Sequence, residues 1–251
     1  MNLPDRSIIV LTSYLVDLSF AMLRVGHLNA YHLYNKVPYV CNFLQSQSSS
    51  EYHLFGITDS RLDFRITDHS ISIPDSHIIR RDWQLPWQTG IAVSVHQSVQ
   101  AITHRRKWQN WMYLARIEAA CTWTTAVYVL FLQKPSGYFW VVRLLCSFVQ
   151  MLDVYKAKNP ADVLILGDFN IDMLKPHSYW DSTLALFGLA QLITSPTRTT
   201  PTSTSLTDHT YTNNPCEVVT TDVSDISISD HNPISCTRSI KLPKPDSKGH
   251  T

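Results

Sequence analysis

Short apolar, β-branched runs recur along the chain with polar punctuation between them. Residues 23–29 (LRVGHLN), 53–58 (HLFGIT), 89–95 (TGIAVSV), 124–131 (TTAVYVLF), 162–167 (DVLILG) and 232–240 (NPISCTRSI) read as strands. Residues 35–45, 137–156 and 178–187 instead carry apolar side chains three and four apart, the spacing of a helix with one buried face. Pro38 fits the first of these, since proline is tolerated in a first turn. The helices are few and do not alternate strictly with the strands. That pattern favours a layered α+β architecture over a doubly wound parallel sheet. Residues 195–207 (SPTRTTPTSTSLT) have the composition of an exposed loop. The polar, proline-bearing residues 241–251 read as a disordered tail, and residues 1–22 as an N-terminal extension. One domain over residues 23–240 is the economical reading.

The run "ADVLILGDFNIDML" stops abruptly at Gly167-Asp168-Phe169-Asn170. Other strands end alike. The first ends at Asn29, the second delivers Asp59, "LTDHTYTN" carries Asp208 and His209, and "ISISDHNPIS" carries Asp230 and His231. Chemistry tends to sit at such strand ends, where a rigid scaffold hands over to a loop. Carboxylates and carboxamides in that number suit a hard cation such as Mg²⁺, and a neighbouring histidine can orient water or face a phosphate oxygen. These are the parts of metal-assisted phosphoester hydrolysis. Taken singly, Asp-x-Asn after a strand is commonly a turn or a helix cap, and an Asp-His pair is commonly solvated surface. Their order along the chain carries the signal.

Composition narrows the picture. The 251 residues carry a formal net charge of +1, so no overall basic field argues for nucleic acid, and any such surface must be local. Five cysteines at 41, 121, 146, 216 and 236 form no C-x-x-C pair and are odd in number. They read as reduced thiols of an intracellular protein, with neither a disulfide framework nor a zinc site. The apolar residues 8–23 are interrupted by Asp17 and fall short of the roughly 20 residues of a membrane span. No membrane association and no obligate protein partner are expected. Residues 80–90 and 104–111 mix Arg and Lys with Trp83, Trp87, Trp108 and Trp111. They could line a nucleic-acid path, but partly buried indoles under surface loops are the simpler reading.

Together, "LRVGHLNAYHLYNKV", "GITDSRLD", "DVLILGDFNIDML", "LTDHTYTNNP" and "ISISDHNPIS" resemble the endonuclease/exonuclease/phosphatase superfamily. The likeness is to its branch encoded by non-LTR retrotransposons. The resemblance implies a four-layer α/β/β/α sandwich with two packed mixed sheets, a divalent metal (Mg²⁺, with Mn²⁺ as the alternative) and duplex DNA as substrate. It implies that Asn29, Asp59 and Asp230 lie around the metal. Asp168 then orients or deprotonates the attacking water, Asn170 bonds the phosphate, and Asp208 orients His231 toward it. His209 receives no role. Such a domain nicks DNA to expose a 3′-hydroxyl that primes reverse transcription. With no room for a reverse transcriptase, the chain reads as a detached or truncated module, nuclear if it acts on genomic DNA.

Four positions depart from the pattern. Asp59 stands where the family has a longer Glu, Leu132 where it has a phosphate-facing Tyr, Gln133 where it has Arg, and Thr89 where it has the first of two glycines. Losing a preorganised donor such as that phenol can cost on the order of 10²–10³ in rate. A catalytically inert remnant that binds nucleic acid or protein is therefore the alternative, and a phosphatase of the same superfamily a third.

Overall fold

The computed structural model describes residues 22–46, 51–82, 90–99, 101–103, 112–118, 126–133 and 162–239. Within them, two six-stranded mixed sheets pack face to face. The first contains β1 (Met22–Asn29), β2 (Leu54–Thr58), β3 (Ser76–Arg81), β4 (Ile91–His96), β13 (Val218–Val223) and β14 (Ile234–Ser239), in the order β13-β14-β1-β2-β4-β3. The second contains β5 (Ala101–Thr103), β6 (Met112–Glu118), β7 (Ala126–Gln133), β8 (Asp162–Asp168), β9 (Ala190–Gln191) and β12 (Asp208–Thr212), in the order β5-β6-β7-β8-β12-β9. Each sheet holds one parallel pair, β1 with β2 and β7 with β8, and is otherwise antiparallel. A small hairpin, β10 (Arg198–Thr200) with β11 (Ser203–Ser205), stands apart. Among the described residues the α-helices are α1 (Val37–Ser46) and α2 (Ser178–Leu186).

The period of two along a strand divides the core. Leu23 and Val25 of β1, Leu54 of β2, Ile91, Val93 and Val95 of β4, and Cys236 of β14 meet Leu164 and Leu166 of β8 between the sheets. On the other face of the first sheet, Leu28, Phe55 and Ile57 receive Val40 and Phe43 of α1. Trp180 of α2 packs against Phe169 and Tyr211 on the outer side of the second sheet. Burying each large apolar side chain contributes roughly 1.5–3 kcal/mol, which is what holds the four layers together.

The expected strands are present with ends shifted by at most two residues. The helix expected at 35–45 opens as a 3-10 turn, Tyr34–Lys36, and continues as α1, while that at 178–187 is α2. The helix expected at 137–156, the tail 241–251, and Trp83, Trp87, Thr89, Trp108 and Trp111 lie outside the described residues. Residues 195–207 are exposed over much of their length, as expected, but they are not an irregular loop. They carry the β10–β11 hairpin, whose base is buried at Thr197 and Leu206. The Thr197 N–H donates to the Ser205 carbonyl at 3.0 Å, so the backbone at that base is paired within the hairpin. Among the described residues, Cys41, Cys216 and Cys236 are free thiols, and no helix is long and apolar enough to cross a membrane.

Gly26 shows how tightly β1 is held. A Cβ placed there would lie 2.6 Å from Tyr52 and 2.7 Å from Phe55, inside contact distance of both rings. Gly26→Ala is expected to destabilise the protein by about 1–3 kcal/mol, the usual cost of overpacking, read as a lower midpoint in urea unfolding. An unchanged midpoint would mean that the two rings yield freely.

Candidate functional site

The site lies between the sheets, where both parallel pairs end. β1 points His27 and Asn29 inward, since they are two apart in a strand whose inward positions begin with Leu23 and Val25. From the other sheet, Asp168 is the last residue of β8 and Asp208 the first of β12, and the antiparallel register sets them directly opposite each other. His231 lies in the loop that leads into β14.

Hydrogen bonds join these groups. Asn29 Nδ2 donates to Asp168 Oδ2 at 2.9 Å, and Asn170 Nδ2 donates to the same oxygen at 2.7 Å. The Asn170 backbone N–H donates to Asp168 Oδ1 at 3.0 Å, aided by a left-handed φ of 51° at Asn170. Asp208 Oδ2 bonds His231 Nδ1 at 2.7 Å and accepts from Thr197 Oγ1 at 2.9 Å. Thr197 in turn accepts the N–H groups of Thr207 and Asp208. Ser229 Oγ donates to the Asn29 carbonyl at 2.7 Å and accepts the His231 N–H at 3.0 Å, tying the last loop to the first strand.

Burial and charge set the protonation states. Burial raises the Asp168 pKa to about 6, with the Asp208 charge opposite adding to the effect. Burial also works to raise Asp208, but the charge and hydrogen bond of His231 outweigh it and hold Asp208 below the usual carboxylate range. For His231 burial opposes the charged form. The field and hydrogen bond of Asp208, with Asp168 and Asp230 behind them, prevail and lift it to about 9. The site is thus a buried Asp208–His231 ion pair beside a carboxyl that titrates near neutrality.

Among the described residues, Asp168, Asp208 and His231 form the group whose ligand atoms all lie within 4.8 Å of one another. Asp59 and Asp230 stand further out. Asp59, held at a left-handed φ of 48°, accepts from Arg61 Nε at 2.9 Å, and Asp230 Oδ2 accepts from Arg198 Nε and Nη2, each at 2.8 Å. Both carboxylates act on one ammonium, since the fields of Asp230 and Asp59 reach Lys36. Lys36 Nζ is anchored on the carbonyls of Ala30 and Tyr31 at 2.6 and 2.9 Å. Carboxylate oxygens of this kind fit a hard divalent ion, which takes one or two carboxylates and keeps its waters. Register sets Gln133 beside Asp168 and Leu132 beside Gly167.

His209 belongs to a separate structural network. Its Nε2 faces the Ile171 carbonyl at 2.9 Å, its Nδ1 bonds the Tyr211 hydroxyl at 2.6 Å, and its ring stacks on Phe169 at 4.9 Å. Trp180 Nε1 donates to the same hydroxyl at 2.7 Å. Burial lowers the His209 pKa to about 4, so it stays neutral. Sequence reasoning passed over Thr197, Ser229, His27, Lys36, Arg61 and Arg198. Thr197 lay in an apparent loop, and the others lacked any spacing that marks a ligand.

The chain matches the model of the Endonuclease/Exonuclease/phosphatase family over residues 44–231. No match is found among curated proteins. Among solved structures it resembles the endonuclease domain of TRAS1, a telomere-specific non-LTR retrotransposon, with a TM-score of 0.65 and 15% identity over 87% of this chain and 98% of that one. The AP endonuclease LMAP from Leishmania major aligns with a TM-score of 0.72 and 10% identity over 93% of each chain. The 3′ phosphatase NExo from Neisseria, bound to a product DNA hairpin, aligns at 0.65 and 14% over 85% of this chain and 98% of that one.

The His231 shift makes stability depend on pH. Its folded pKa of about 9 lies above the ordinary 6.5, so its contribution is complete below pH 6.5 and disappears as pH rises through about 9. In buffer with chelator, the parent is expected to lose unfolding free energy across that window. His231→Gln is expected to give a flatter profile there, measured by urea unfolding at several pH values; parallel profiles would show that His231 is not charged.

Proposed function

Because the chain belongs to the endonuclease/exonuclease/phosphatase family, we propose that it is a metal-dependent DNA-nicking endonuclease domain of the non-LTR retrotransposon kind. The observation that carries this reading is the meeting of Asp168, held by Asn29 and Asn170, with the Asp208–His231 pair at one rim of the sandwich. In-line attack by water on a backbone phosphate forms one P–O bond and breaks the bond to the 3′ oxygen. Asp168, with a pKa of about 6, is basic enough for a carboxylate to take the water's proton near neutral pH. Asn170 bonds a non-bridging oxygen, and Asn29 keeps Asp168 aligned with the water. His231, cationic and fixed through Nδ1, presents Nε2 to the phosphate and offsets the charge gathering on its oxygens. Asp208 holds that ring. A divalent cation, Mg²⁺ foremost, held by Asp59, Asp230 and Asn29 would polarise the phosphate and stabilise the leaving oxygen.

One observation favours a second reading, an inert nucleic-acid or protein binding module. Asp59 and Asp230 are each paired with an arginine, so a metal competes with Arg61 and Arg198 for them. Mg²⁺ titration separates the two, because a ligand raises the melting temperature only of a fold that binds it. A phosphatase of the same family would release phosphate from terminal monoesters and leave closed circular DNA intact.

Plasmid nicking with Mg²⁺ tests the proposal. The parent is expected to convert supercoiled DNA to open circles, and chelator to stop it. Asp168→Asn and His231→Ala are expected to be slower by about 10²–10⁴, the usual worth of a positioned proton-transfer group. Equal rates in all three proteins would assign the activity to a contaminant and end the proposal.

A further inference from the structure

His27 is fully buried in β1, two residues before Asn29. The inward positions preceding it on that strand are Leu23 and Val25, and an apolar residue at 27 would continue their packing. An imidazole there must instead be matched with polar partners, because a buried polar group without one costs about 1–3 kcal/mol. One partner is Thr58, whose Oγ1 lies 2.9 Å from His27 Nε2. The other nitrogen, Nδ1, lies 3.6 Å from Asp208 Oδ1. Both of those atoms are buried, and neither has a hydrogen-bond partner among the described residues.

We propose that His27 is a positioning residue that braces the Asp208 carboxylate through Oδ1 while His231 and Thr197 hold it through Oδ2. The inference rests on the nuclease reading of the same site. The tautomer follows from the geometry. With the proton on Nε2, the Nδ1 lone pair would face a buried carboxylate oxygen with no donor between them. With the proton on Nδ1, a donor faces Oδ1 across 3.6 Å, a charge–dipole contact longer than a hydrogen bond, and the Thr58 hydroxyl donates to Nε2. Without His27, one oxygen of Asp208 loses its neighbour and the carboxylate is freer to turn about its Cβ–Cγ bond. His231 turns with it, because Nδ1 follows Oδ2. A chain of contacts therefore runs from Thr58, beside Asp59, through His27 and Asp208 to His231. It couples the first sheet to the ring that meets the phosphate, as a group that locks a catalytic side chain should.

Four variants read this directly. His27→Leu keeps bulk without polar atoms. His27→Asn puts an amide donor where Nδ1–H stood, because both nitrogens are bonded to Cγ. His27→Gln places its amide nearer the Nε2 position. Thr58→Val is an isostere that removes the hydroxyl even if a substitution at 27 fails to fold. In metal-free protein, the exchange-protected Nδ1 proton of His231 is expected in the NMR spectrum of the parent and of His27→Asn. It is expected to be lost or broadened in His27→Leu, His27→Gln and Thr58→Val. In plasmid nicking, His27→Leu is expected to lower kcat by about 10² with KM unchanged, as loss of alignment does, and His27→Asn to recover most of it. A Leu variant that keeps both the proton signal and kcat overturns the proposal. So does an Asn variant no better than Leu at equal thermal stability. If the parent does not nick at all, the nuclease reading falls, and the proton signal alone decides whether His27 braces Asp208.

Discussion

The site is organised around one buried charge. The Asp208 carboxylate is fully enclosed where the two sheets meet, and an isolated ion there would be prohibitively costly. It is tolerated because His231, Thr197 and His27 surround it, drawn from the last loop, the hairpin base and the first strand. Each of those elements is held near the site because the charge needs it. The direct opposition of Asp168 and Asp208 follows from strand register, and like charges across a pair repel. That repulsion, added to burial, gives Asp168 its basicity, so the packing of the fold and the reactivity of the site share a cause.

The outer carboxylates tell a different story. Asp59 is buried and Asp230 is exposed, yet each meets an arginine, so their charge is balanced locally. Asp59 sits on a strap that continues the β1–β2 pairing past the strand ends, through backbone bonds from Ala30, His32 and Leu33 to Thr58, Asp59 and Ser60. Tyr31, His32, Asp59 and Arg61 on this strap all have left-handed φ. For a non-glycine residue that conformation costs roughly 1–2 kcal/mol. The strain is spent on keeping the shortened carboxylate beside the rim.

Much of this was legible in the sequence. The β-branched runs marked β1, β2, β4, β7, β8 and β14, and polar residues at the ends of strands or just before them marked Asn29, Asp168, Asp208 and His231. Other elements carried no such signal. β12 reads DHTYT, polar enough to pass for a loop, yet it is buried along its length between β8 and β9, with the His209 imidazole and the Tyr211 hydroxyl hydrogen-bonded. Thr197 was hidden in a Ser/Thr/Pro tract, where composition speaks for solvent and only tertiary pairing reveals the buried hydroxyl. His27 sat inside a strand pattern as one polar letter, and nothing local shows that a carboxylate from 181 positions later faces it.

β1 and β14 lie side by side in the middle of one sheet, with Ser229 fastened to Asn29 across 200 positions of sequence. Such long-range closure slows folding, because distant segments must meet before the gain is realised. The site's histidine is carried by the loop just before β14, so the pairing of β14 with β1 is what brings it to carboxylates set in the other sheet.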